Sequence, residues 1–91
     1  MRLAERLIEQ AERQLAQYPQ YRGHWAGWKV GEIRRDIRTK MGPAFSKGEL
    51  VLYDPKPNAI PGCRPDTVIA YSVTNRCDTA ISRRHLKPCE D

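Results

Sequence analysis

The sequence has no apolar run long enough to cross a bilayer. A spanning helix needs about 20 such residues, and the longest comparable stretch, Thr67 to Val73, is strand-sized and contains polar residues. The segment Met1 to Ala16 also lacks the unbroken apolar core of a secretory leader, because Glu5, Glu9 and Glu12 interrupt it. The expectation is a soluble, cytoplasmic chain with no membrane association.

Cysteine is scarce and odd in number. Cys63, Cys77 and Cys89 show no paired spacing, so free thiols are expected rather than a disulfide framework. Together with His85 they make up a zinc-compatible donor set. With spacings of 13, 7 and 3 intervening residues only His85 and Cys89 are close, whereas structural zinc sites usually draw their ligands in two close pairs. No metal and no cofactor are expected. Phosphate-cradling glycine loops are absent, since Gly23, Gly27 and Gly31 follow no strand and precede no Lys-Ser or Lys-Thr. No local signature joins Cys63 or Cys77 to His24 or His85 as nucleophile and base. At 91 residues the chain builds one modest core. A small non-enzymatic binding domain is the reading that survives these exclusions.

What the sequence does contain is an uneven distribution of charge. The formal net charge is +5. Residues 1–21 and 48–91 are each balanced. Residues 22–47 hold seven basic side chains against Glu32 and Asp36, so the entire excess lies there. A local positive field of this kind attracts nucleic-acid phosphates or acidic protein surfaces.

Two helices are expected ahead of a β-rich half. Leu3, Leu7, Ile8, Ala11 and Leu15 form an apolar stripe at helical spacing, which Pro19 terminates. The stripe suits either the domain's own core or a helix–helix dimer. A second helix is predicted over residues 29–39, with Val30, Ile33, Ile37 and Met41 on one side and Arg34, Arg35 and Arg38 on the other. Gly42-Pro43 stops it. Strands are then predicted at 49–54, 67–74 and 79–82. A long Pro-rich loop from Pro55 to Pro65 separates the first two, and a tight turn from Arg83 leads to a last short strand. With only one Phe in the chain, Trp25 and Trp28 are expected to serve the core, the alternative being that with His24 they stack on bases beside Arg22 and Lys29.

The stretch from Phe45 to Tyr53, the strand Thr67 to Val73 and the ending Arg84-His85-Leu86-Lys87-Pro88 resemble a small SH3-like barrel. The ending is similar to that of the SH3-like C-terminal domains of retroelement integrases. The resemblance covers about residues 42–89 and implies binding rather than catalysis.

The fold class expected is therefore α+β, with a helical part over 1–41 and an SH3-like antiparallel barrel over 42–91, in a single domain. The leading function is a nucleic-acid-associated module. Its candidate site is a basic helix carrying Arg34, Arg35, Arg38 and Lys40, extended by Arg22 and Lys29. A second basic cluster, Arg83, Arg84 and Lys87, lies beside the barrel's end and offers an extension of that surface, and His85 reads as a packing or turn residue. The rival is a protein-interaction module, such as a phage- or plasmid-type inhibitor or accessory factor, docking on an acidic surface.

Overall fold

The computed structural model describes residues 2–40, 42–56 and 66–89. One α-helix, α1 (Leu3–Gln14), is followed by a 3-10 turn at Pro19–Tyr21 and then by seven strands: β1 (Lys29–Ile33), β2 (Ile37–Thr39), β3 (Gly42–Phe45), β4 (Leu50–Tyr53), β5 (Thr67–Ser72), β6 (Cys77–Ser82) and β7 (Leu86–Pro88). A second 3-10 turn, Arg83–His85, connects β6 to β7. Strands β6-β5-β4-β1-β7 form one curled antiparallel sheet, and β2 and β3 form a separate hairpin. The class is α+β with a barrel-like sheet. Among the described residues no helix is long and apolar enough to cross a membrane.

The second predicted helix does not exist. Residues 29–39 form β1, a turn and β2, so the strand-rich part begins near residue 29 and the 1–41 helical part is corrected accordingly. The misleading stripe has a physical origin. Side chains alternate across a strand, and β1 is buried on both faces. Val30 points to the cluster beneath α1, whereas Ile33 joins the cluster on the sheet's other face. Two buried residues three apart imitate one helical face when they serve opposite faces of a strand. Gly31 inside the segment also weakens a helix by about 1 kcal/mol relative to Ala. Val30, Ile33 and Ile37 are β-branched, which favours the pleat.

The same alternation runs through the whole sheet. Leu52, Ile69 and Tyr71 face α1, while Val51, Tyr53, Val68, Ala70 and Ile81 face the hairpin. The registers Val30↔Leu52 and Leu52↔Tyr71 keep like faces together. Trp25 and Trp28 are buried in the α1 layer, with Trp25 stacked on Tyr21. The α1 stripe expected from the sequence lands on that layer. Leu3, Leu7, Ile8 and Leu15 pack around buried Ala11, so the stripe serves the molecule's own core. The opposite layer is closed by Ala44 and Phe45 of the hairpin and by Leu86.

The predicted strands at 49–54, 67–74 and 79–82 appear as β4, β5 and a longer β6. Most of the Pro55 to Pro65 loop, with Cys63, lies outside the described residues.

Candidate nucleic-acid interface

Three turns meet at one end of the sheet and build a single surface there. Gly48, with φ +87°, forms the third position of a turn closed by Glu49 N donating to Ser46 O at 3.0 Å. That position requires a positive φ, which glycine adopts without strain. The Gly48 amide donates to Ile33 O at 2.7 Å, and the Arg34 amide donates to His85 O at 2.9 Å. The end of β1 is thereby tied both to the turn before β4 and to the 3-10 turn before β7.

Between this junction, β2 and the outer side of β6 lies an open cleft of about 420 Å³. Arg35, Arg38, Arg84 and His85 line it together with Asp36 and Asp66, and its apolar floor includes Ile37 and Ile81. Exposed Arg34 adjoins it, next to Arg35 in the β1–β2 turn. The β2–β3 register shifts between Ile37 and Arg38. Such an irregularity re-aims side chains: Ile37 packs against the core, whereas Arg38 is exposed on the cleft wall.

The two carboxylates are engaged by the fold. Asp36 Oδ1 accepts from the Lys47 amide at 2.8 Å. Asp66 Oδ2 accepts from Ser82 Oγ at 2.9 Å. Among the described residues the only ion pair joins Arg13 to Glu9, so Arg34, Arg35, Arg38 and Arg84 have no carboxylate partner there. An exposed guanidinium without a partner is available to a phosphate, which it grips through two parallel N–H groups.

His85 is partly buried in the 3-10 turn. Burial first, and then the guanidiniums of Arg35, Arg84 and Arg34, push its pKa below the ordinary histidine value, with Asp66 opposing them. The imidazole is therefore neutral near neutrality.

The sequence-predicted site is only partly assembled. Arg34, Arg35 and Arg38 come together, but on a turn and a strand rather than a helix. Lys40 is exposed in the turn after β2 and does not line the cleft. Arg22 lies beside Tyr18, Pro19 and Tyr21 in a smaller hollow near the end of α1. Lys29 lines hollows beside Trp28 and Tyr53. Trp25 and Trp28 are in the core and offer no stacking platform to a base. Arg84, from the second basic cluster, and His85 line the cleft, although neither belongs to the basic-helix site expected from the sequence. The one sequence signal for them is the run Arg83-Arg84-His85, whose place is fixed by the β1–β7 pairing, by the Arg34 amide on His85 O and by the Arg83 amide on Asp66 O.

No group of three or more ligating side chains occurs among the described residues. Burial, and then Asp78 and Glu49, push the Cys77 thiol pKa up, which suppresses the reactive thiolate. No family model, curated protein or solved structure matches the chain.

Proposed function

We propose that the protein is a small, non-enzymatic, nucleic-acid-associated module. Arg35, Arg38 and Arg84 in the cleft, with Arg34 beside them, hold backbone phosphates. The observation that carries this reading is the convergence on one cleft of exposed guanidiniums that have no carboxylate partner among the described residues, while Asp36 and Asp66 beside them each accept a hydrogen bond from the fold. No Phe, Tyr or Trp lines the cleft, so the contacts favour phosphates over bases and base specificity is weak. The curled sheet is read as an SH3-like barrel. The support for this is the 3-10 turn Arg83–His85 leading into the three-residue β7, which matches the ending that carries the resemblance.

Amide chemical-shift mapping during titration with a short DNA or RNA strand tests the placement. Perturbations centred on residues 34–38 and 84–85 are expected. Perturbations confined to α1, or none at low salt, would contradict it.

One observation favours a second reading. The cleft runs beside β6, which is an edge strand of the five-stranded sheet. An acidic extended segment of a protein partner would find basic side chains beside that edge strand, whose start is covered by the hairpin through the Cys77 Sγ to Ala44 O contact. A stoichiometric complex with such a segment, and none with nucleic acid, would establish that alternative.

A further inference from the structure

We propose that His85 is a proton-linked member of the same anion site, so that a phosphodiester entering the cleft draws a proton from solvent onto the imidazole and binds more tightly as the pH falls. This rests on the cleft being the nucleic-acid site.

The geometry supplies both halves of the linkage. His85 lines the cleft, and the bond from the Arg34 amide to its carbonyl fixes its backbone independently of its side chain. Charged groups reach it from every neighbouring element. Arg34 and Arg35 of the β1–β2 turn, Asp66 of the segment before β5 and the neighbouring Arg84 in the 3-10 turn act on the ring, and Asp36 and Arg38 line the same cleft. Positive groups outnumber negative ones, so the empty cleft opposes an imidazolium.

A phosphodiester anion between the guanidiniums reverses that balance, because an opposite charge within about 4–6 Å favours the charged ring. The imidazolium donates from both nitrogens, whereas the neutral ring donates from one. No bond other than N–H forms. The coupling is reciprocal, so whatever anion binding does to the proton affinity, protonation does to the anion affinity. A rise of one unit in the pKa of His85 corresponds to about tenfold tighter binding. Arginine cannot do this, since it stays charged throughout the range.

The test uses labelled oligothymidylate, followed by fluorescence anisotropy at constant ionic strength from about pH 8 to about pH 5, a window spanning the ordinary histidine value. The wild type and His85→Gln are compared, and the His85 ring proton is titrated by NMR with and without saturating oligonucleotide. The expected result is affinity rising about threefold to tenfold across the window in the wild type, a flat profile in His85→Gln, and an upward shift of the His85 midpoint on binding. Binding that is independent of pH, or a pH dependence that survives in His85→Gln, overturns the linkage and leaves the cleft as the site. Absence of binding at every pH overturns the reading of the cleft itself.

Discussion

A β-carbon added at Gly31 would lie 2.5 Å from Leu86 Cδ1 and 2.7 Å from its Cγ. Strands β1 and β7 pair directly at this point, with Ile33 opposite Leu86 and Gly31 opposite Pro88. Leu86 is nearly buried in the cluster facing the hairpin and cannot swing away freely. The absence of a side chain at Gly31 lets the last strand close on the first, and that closure sets the 3-10 turn with Arg84 and His85 beside the end of β1.

Gly31→Ala is therefore expected to destabilise the fold by about 1–3 kcal/mol, the usual cost of overpacking. Urea denaturation measures it. Leu86→Ala in the same background removes the clash, so the two substitutions are expected to be non-additive, with the double variant less unstable than the sum of the singles. Additive losses would contradict the close approach.

The helix is fastened to the sheet by a polar clamp. Tyr71 Oη donates to Gln14 Oε1 at 2.8 Å, and Gln14 Nε2 donates to Val73 O at 2.7 Å. Tyr71→Phe leaves the Gln14 oxygen without its donor and is expected to cost about 1 kcal/mol. Trp25→Ala, at the centre of the same layer, is expected to cost about 3–5 kcal/mol. Equilibrium unfolding checks both. A Trp25 variant of unchanged stability would mean that the α1 layer is not part of the cooperative fold.

Stability also carries a pH signature. The folded pKa of His85 lies below its unfolded value, so the unfolded chain takes up the proton first as pH falls. The contribution of this group to stability is therefore constant above about pH 6.5 and declines below it until the pH passes the folded value. His85→Gln is expected to flatten that part of the profile in thermal unfolding followed from about pH 8 to about pH 5. A variant with the same acid sensitivity as the wild type would assign the effect to other groups.

Much of the architecture is legible from residue pattern. The α1 stripe follows from burial of one helix face, β4 and β5 from their apolar, strand-forming residues, and the core role of the two tryptophans from the scarcity of other large apolar side chains. The segment 29–39 misleads because its apolar residues fall at a spacing that also fits a helix. Val30 and Ile33 belong to different layers, and their spacing of three matches a helix as well as a two-sided strand. The concentration of charge in residues 22–47 is legible, but its geometry is not. Arg22 and Lys29 are carried away from Arg35 and Arg38 by the course of the connector and β1. Arg84 and His85 are brought in by a pairing some 50 residues distant in sequence, which no local pattern reports.

The arginine cleft is most directly tested by fluorescence anisotropy with single- and double-stranded DNA and RNA at several salt concentrations. The variants Arg34→Ala/Arg35→Ala/Arg38→Ala and Arg22→Ala/Lys29→Ala are compared with the wild type. Binding is predicted to weaken by about 0.9 logarithmic units per tenfold rise in salt for each phosphate contacted on duplex DNA. The triple variant is predicted to lose affinity and to show a slope shallower by about one unit for each contact removed. The Arg22/Lys29 variant is predicted to bind almost as the wild type does. Unchanged affinity in the triple variant, or no binding by the wild type even at low salt, would contradict the assignment of the cleft to nucleic acid.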